Sequence, residues 1–492
     1  MTEQVAGSGD AQAGNSGDAA AADGAALPTF DAWALPPDFA IPRIPPAFFD
    51  TGGVRVRYLD ADPQWVRDLA DTLRAAGARL AGRSTGAIAD ALGTVGERLL
   101  DPDDSLRREA LRFLPSTSGM SEPMAAAVLD GMAADWTANR LRALLERELG
   151  GPGLLDRFIP DGLRRVKAFG PALAVQVLAG SVPGVGTTAL LRSLLVKSPV
   201  LIKAGRGDIV LPALAVRALG KAAPDLAAAC AVVYWPGGRS EPEDAALLAA
   251  DFVAVYGSDE TVRAVRARTP VSARFVAYHH RVSLAVIGRE ALSVDAVDRA
   301  VVDVAGAVAF FDQHGCVSPH VVYVEEGGGV DGRAFATRLA GALASLEETL
   351  PGGVAEPLEA ARLQQLRGAA EMRAAAGPDV ELHHGGADLW TVIFEADPSF
   401  ETSCLNRTIR VKPVDDLSQV AELVRPFARH LQTIGVAGVG DRLGELADAL
   451  GRAGAVRVAP LDSMPFPPPW WHHDGQGPLT VMLRFVDVES ER

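Results

Sequence analysis

The chain has 492 residues, 48% of them hydrophobic and 22% charged, which is too much for one hydrophobic core, so two or more domains are expected. A net charge of -15 argues against non-specific binding to nucleic acid or an anionic membrane, although a local basic patch still suffices to hold a phosphate. The cysteines, Cys230, Cys316 and Cys404, are three in number and include no Cys-x-x-Cys pair, a pattern of reduced thiols in a cytoplasmic protein rather than of a disulfide framework. No stretch is long and apolar enough to cross a bilayer, and the N-terminus lacks the basic-then-apolar order of a signal peptide.

In chain order, residues 1–28 are Ala, Gly, Asp and Ser with almost no large apolar side chains, and a disordered tail is expected. Residues 29–63, rich in proline and aromatics, are expected to lie extended over the domain surface. Residues 64–150 carry leucines at helical spacing and end at Gly150-Gly151-Pro152-Gly153. From about 166 the pattern changes to short apolar strands alternating with helices. The predicted strands are 174–179, 199–204, 231–234, 252–258, 274–278 and 283–287; the helices are 187–197, 211–222 and 245–250. That alternation implies a mostly parallel sheet covered by helices, with ligands at the carboxyl ends of the strands. The turn Gly180-Ser181-Val182-Pro183-Gly184 opens a helix, as phosphate-holding turns do, but it has neither the Gly-x-Gly-x-x-Gly nor the P-loop form. Lys203 closes a strand, where a lysine either snorkels to solvent or reaches a nucleotide.

A second alternating unit follows. An apolar run at 301–311 stops in Asp312-Gln313-His314-Gly315-Cys316-Val317-Ser318-Pro319-His320, and a strand begins at about 321. The thiol therefore sits on a short helix-to-strand loop, where backbone N–H groups and a nucleophile face one ligand; a small core residue is the alternative reading. Helices are predicted at 332–346, 357–375, 417–430 and 442–450, and strands at 389–394, 407–412, 431–436, 455–458 and 479–488. Adjacent histidines at 279–280, 383–384 and 472–473 point to opposite faces if extended, so no metal site is expected. Trp470 and Trp471 follow three prolines and suit a packed aromatic cap or one wall of an acyl channel.

Taken together, these pieces resemble the aldehyde dehydrogenase superfamily, and within it the acyl-CoA reductase branch of bacterial bioluminescence systems (LuxC type). The resemblance rests on Gly180 to Gly184, Leu201-Ile202-Lys203-Ala204, Val255-Tyr256-Gly257-Ser258, Gln313 to His320, Cys404-Leu405-Asn406-Arg407-Thr408 and Trp471-His472-His473-Asp474-Gly475, and covers roughly residues 165–488. It implies an α/β fold: a Rossmann-type dinucleotide-binding domain, an α/β catalytic domain with the cysteine, and a small oligomerisation element. The expected division is a tail at 1–28, a helical region with the dinucleotide domain at 29–287, the catalytic domain at 288–458, and an oligomerisation strand within 459–492.

The resemblance also implies roles. Cys316 is the nucleophile. Lys203 meets the adenosine ribose or its 2′-phosphate, Gly257 and Ser258 line the cofactor path, and the turn from Gly180 through Pro183 to Gly184 lies beside the reacting carbonyl. Two departures matter. Ser181 stands where the superfamily usually has the Asn that holds the oxyanion; a Ser hydroxyl is shorter but still donates one hydrogen bond. The Glu that activates water in hydrolytic members has no counterpart in His279-His280-Arg281-Val282-Ser283. Without it a cysteine thioester survives for thiol exchange. The implied reaction is NADPH- or NADH-dependent reduction of an acyl-CoA or acyl-carrier thioester to an aldehyde, with His314 and His320 as candidate helpers of the thiol. The rivals are a cysteine acyltransferase without hydride transfer and a non-catalytic scaffold homologue. A homo-oligomer is expected, with an acyl-activating protein as a further candidate partner.

Overall fold

The computed structural model describes residues 27–386 and 389–489; the expected tail falls almost wholly on 1–26, outside the described residues. The chain divides into two units. One comprises Met1–Ser118, Leu129–His279 and Gly477–Arg492, the other Gly119–Val128 and His280–Gln476.

The first unit opens with β1 (Thr29–Asp31), β2 (Ala47–Thr51) and β3 (Val54–Tyr58), in the order β1-β3-β2. Residues 29–63 are thus partly a sheet rather than a surface strap. The cause is alternation: Val54 and Val56 are buried, while Arg55 and Arg57 between and after them pair with Asp50 and Asp31. Helices Pro63–Gly82, Thr85–Leu100, Ser105–Ser118 and Ala138–Leu149 fill the predicted helical region. Next come β4 (Ile159–Asp161) and β5 (Arg164–Phe169), which the sequence reading missed; the C-terminal strand Arg484–Glu489 pairs antiparallel with β5. That strand begins later than its apolar pattern, because Thr480–Met482 forms a short helical turn that buries Leu479 and Met482.

The same unit holds the parallel sheet of β6 (Ala174–Val177), β7 (Val200–Lys203), β8 (Cys230–Val233), β9 (Phe252–Tyr256) and β10 (Arg274–Tyr278), in the order β10-β9-β6-β7-β8. Its central strands are almost wholly buried, as continuous apolar runs require when helices cover both faces. Counted from β6, the order is 3-2-1-4-5. The chain therefore reverses direction across the sheet between β6 and β9, and dinucleotides bind at such a switch point.

In the second unit β11 (Val282–Ile287), β12 (Pro319–Glu325), β13 (Val380–His384), β14 (Thr391–Glu395), β15 (Thr408–Val414), β16 (Leu431–Ala437) and β17 (Arg457–Pro460) form one sheet, ordered β13-β14-β15-β12-β11-β16-β17. All pairs are parallel except β13 with β14. Strand β11 shows why both faces are filled. Ala285 and Ile287 join a core with helices Val297–Ala309 and Gly332–Thr349, while Leu284 and Val286 join one with helices Ser418–Val424 and Leu443–Arg452. Because β11 pairs with β12 and β16, the division between units falls at His279/His280, ahead of the 287/288 read from sequence.

Candidate functional site

The loop that carries Cys316 is built from strained backbone. Helix Val297–Ala309 ends, and Phe311, Asp312 and Gln313 adopt left-handed φ values of 59°, 46° and 68°. None is glycine, so each costs about 1–2 kcal/mol relative to right-handed backbone. A second left-handed run, Leu405, Asn406 and Arg407, faces the first and holds it. Gln313 is fully buried. Its Nε2 donates to the carbonyls of Pro319 and Thr408, both at 2.7 Å, and its Oε1 accepts from the Thr408 N–H at 2.8 Å. Asp312 pairs with Arg407 at 2.9 Å and accepts from the Gly353 N–H at 3.1 Å. The Phe310 and Phe311 rings pack on Phe466. The Cys316 carbonyl accepts from Ser283 Oγ at 2.7 Å, and Ser283 Oγ in turn accepts from the Thr433 N–H at 3.0 Å.

Ser283, Thr408, Gln432 and Arg457 all stand at the first or second residue of their strands, so the thiol lies over the amino ends of the second unit's sheet. What surrounds the thiol comes from these strand starts and from the turn after Trp471. His473 Nε2 lies 3.8 Å from Cys316 Sγ, and Gln432 Nε2 lies 3.9 Å from it. Gln432 Nε2 also donates to Asp474 Oδ1 at 2.7 Å, Arg281 Nη2 reaches Asp474 Oδ2 at 2.8 Å, and His473 Nε2 is 3.6 Å from Asp474 Oδ1. Trp471 stacks on the His473 ring with centroids 4.7 Å apart, and Arg457 lies over Trp471. Burial, and after it the Asp474 charge, push the Cys316 thiol up to about 11; Gln432 and Arg281 pull the other way.

The two histidines expected beside the thiol are engaged elsewhere. His314 Nε2 meets Glu359 at 3.1 Å; burial works against its charge, but Glu359 outweighs it and raises the imidazole. His320 Nδ1 meets Ser403 Oγ at 3.0 Å, and burial lowers it to about 4. Sequence reading missed His473, Asp474, Gln432 and Arg281 as neighbours of the thiol. The quoted Trp471-to-Gly475 segment was the available signal; its partner, Cys316, is 157 residues away, and no spacing rule spans that gap. Cys230 is a core residue on β8, and burial raises its thiol; Cys404 Sγ is 3.6 Å from Thr408 Oγ1.

The first unit carries the other sequence-predicted residues. Gly180 has φ of 88°, and a Cβ there would lie 2.6 Å from the Gly205 carbonyl carbon, so only glycine fits. Ser181 is exposed on this turn and Pro183 is buried. Asp208, fully buried, accepts from the Gly184 and Gly186 N–H groups at 2.8 and 2.6 Å, which fixes the turn and fills the start of helix Val185–Leu195 with the protein's own carboxylate. Gly257 and Ser258 follow β9, and Ser258 Oγ caps helix Asp259–Arg268 by accepting from the Thr261 N–H at 3.2 Å. Lys203 ends β7 with its Nζ 5.9 Å from the Tyr234 ring centre. The Gly180 turn, Lys203 and Gly257-Ser258 thus follow β6, β7 and β9 at the carboxyl edge of the sheet, flanking its switch point. That placement fits a dinucleotide.

A family model described as Acyl-CoA reductase (LuxC) matches residues 80–485. A long-chain acyl-protein thioester reductase of Aliivibrio fischeri is 25% identical over 411 residues, covering 82% of each chain. Among solved structures, an NAD-dependent benzaldehyde dehydrogenase from Corynebacterium glutamicum superposes with a TM-score of 0.69 at 18% identity, covering 93% of this chain and 97% of the other. A methylmalonate-semialdehyde dehydrogenase from Oceanimonas doudoroffii gives 0.70 at 13% identity, covering 95% and 99%. The fold is that of aldehyde dehydrogenases.

Proposed function

The chain belongs to the acyl-CoA reductase (LuxC) family, and from that premise we propose that Cys316 takes a long acyl chain from a thioester, CoA or carrier protein, and holds it for reduction to the aldehyde with NADPH. The observation that carries the reading is the thiol itself. It is fixed on a doubly left-handed loop, within 4 Å of an imidazole and a buried amide. Strain of this kind is kept where geometry matters to chemistry.

Attack by Cys316 Sγ on the acyl carbon forms the C–S bond and sends the carbonyl π pair to oxygen. The Cys316 backbone N–H is the proposed donor to that oxyanion. Collapse expels the carrier thiol and leaves the acyl-enzyme. The nicotinamide, when bound, supplies the hydride that takes the acyl group to the aldehyde level. The resulting thiohemiacetal collapses, breaking the C–Sγ bond, and the released thiolate takes a proton from solvent. The balance is one thioester, one reduced nicotinamide and one proton in, and one aldehyde, one thiol and one oxidised nicotinamide out.

Lys203, Gly257, Ser258, Gly180 and Pro183 are the proposed cofactor residues. A cation at the end of the second strand of such a sheet suits the 2′-phosphate of NADPH. The segment His280-Arg281-Val282-Ser283 brings Arg281 to Asp474 and Ser283 to the Cys316 carbonyl, and it offers no carboxylate to activate water. This favours thiol exchange over hydrolysis. The sheet of β4, β5 and the C-terminal strand, with Leu163 and Phe485 exposed, is the proposed oligomerisation element. The test is NADPH oxidation, followed by absorbance, with tetradecanoyl-CoA as substrate. The reading expects aldehyde formation that Cys316→Ala abolishes; activity that survives in that variant overturns it.

A further inference from the structure

Resting on the acyl-enzyme reading above, we propose that His473 is the catalytic base and acid of acylation: its Nε2 removes the Cys316 Sγ proton as the C–S bond forms, then returns it to the departing carrier thiol. The step balances. The Sγ–H pair becomes the new bond to the acyl carbon, the imidazole becomes imidazolium, and collapse breaks the old C–S bond as the proton passes to the leaving sulfur. His473 ends neutral.

The arrangement suits that role better than a preformed thiolate. Nε2 is the ring atom that faces the sulfur, at 3.8 Å, and it also faces Asp474 Oδ1 at 3.6 Å. Asp474 is held from both sides, Oδ1 by Gln432 and Oδ2 by Arg281, and its side chain is 1% exposed. A carboxylate so placed stabilises an imidazolium as it forms and disfavours a resting thiolate. The other charge near the sulfur is Arg457 at the start of β17, whose side chain is committed to the carbonyls of Ser463 and Met464 and to the Trp471 face. Stacking on Trp471 fixes the plane of the imidazole. The turn is rigid, with Asp474 and Gly475 both left-handed and the Gly475 and Gln476 N–H groups bonded to the carbonyls of His472 and His473 at 3.0 Å. With the thiol at about 11, its free thiolate fraction at pH 7 is on the order of one in ten thousand, so a base is needed.

The experiment measures the rate of Cys316 acylation by tetradecanoyl-CoA, read as intact mass after rapid quench, from pH 6 to 9.5. Wild type, His473→Gln, His473→Ala with and without added imidazole, and the neighbouring control His472→Ala are compared. The wild-type rate is expected to rise with pH and then flatten once the base is neutral, below the range in which the thiol itself ionises. His473→Gln is expected to lose about 100-fold or more at pH 7 and to climb about tenfold per pH unit instead. Imidazole restores part of the His473→Ala rate, and His472→Ala matches wild type. A wild-type rate that climbs tenfold per unit up to pH 9.5 overturns the proposal without recourse to any variant. A His473→Gln rate within about threefold of wild type with the same profile also overturns it. If wild type forms no adduct at all, the acyl-enzyme reading itself fails; an adduct that forms independently of His473 refutes only this proposal.

Discussion

Gln313→Met removes the amide that ties the nucleophile loop to the sheet while keeping the side chain's length. Gln313 makes three hydrogen bonds with no exposure to water, two donated by Nε2 and one accepted by Oε1. Each is worth about 0.5–1.5 kcal/mol net, and each buried group left unpaired costs about 1–3 kcal/mol. Thr408 loses a partner for its N–H, and the carbonyls of Thr408 and Pro319 each lose one donor. The variant should therefore lose about 3–5 kcal/mol, of the same size as the strain of the three left-handed residues that the amide helps to hold. The assay is urea unfolding followed by far-UV circular dichroism, with the rate of Cys316 acylation in the same samples without denaturant. The expected result is a large drop in midpoint at an unchanged slope and an acylation rate at least tenfold lower. A loss under about 1 kcal/mol with an unchanged rate would show that other contacts set the loop.

Arg407→Met leaves Asp312 and Glu347 without their shared buried cation, and should cost about 3–5 kcal/mol in the same urea assay; a neutral result would contradict the pairing. Lys203→Met should raise the KM for NADPH roughly 10- to 100-fold while changing that for NADH little, since a charge-assisted contact contributes about 1.5–3 kcal/mol; equal effects on both would place Lys203 away from the 2′-phosphate. Stability should fall as pH drops from about 6.5 to 4, because His320 titrates near 6.5 when unfolded and at about 4 when folded, so the unfolded chain binds the extra proton in that window. The loss is about 3 kcal/mol, and thermal melts of a His320→Gln variant should show a flatter limb there. A further loss should follow from pH 4.5 towards 2, where Glu395, whose burial penalty is outweighed by Arg410 and Lys412, becomes protonated.

The core of both units could be read from sequence because parallel strands covered on both faces are runs of buried apolar residues, as in β6, β8 and β12. Helix Val297–Ala309 and the loop after it were legible for the same reason: the apolar run ends sharply and Cys316 follows. The strands β1 to β5 and β13 were not, since they are short, half-exposed and carry charged residues, histidines or prolines that read as surface. The left-handed run at Phe311 to Gln313 gave no sign, because two of its residues, Phe311 and Gln313, have no preference for that backbone; tertiary bonds from Arg407 and Thr408 impose it. Sequence proximity pointed to His314 and His320 as helpers. The structure instead brings His473 to the thiol, because the start of β16 lies beside the start of β11, with β17 next to β16, and Asp474 in the turn after Trp471 bonds Gln432 at the start of β16.

The most direct test is a single turnover watched by mass. The protein is acylated with tetradecanoyl-CoA, freed of excess substrate, and weighed before and after NADPH is added while aldehyde is counted. The account predicts one acyl adduct, mapped to Cys316, that disappears on NADPH addition with one aldehyde released per adduct. An adduct on another residue, or one that NADPH discharges as free acid or leaves in place, would contradict it.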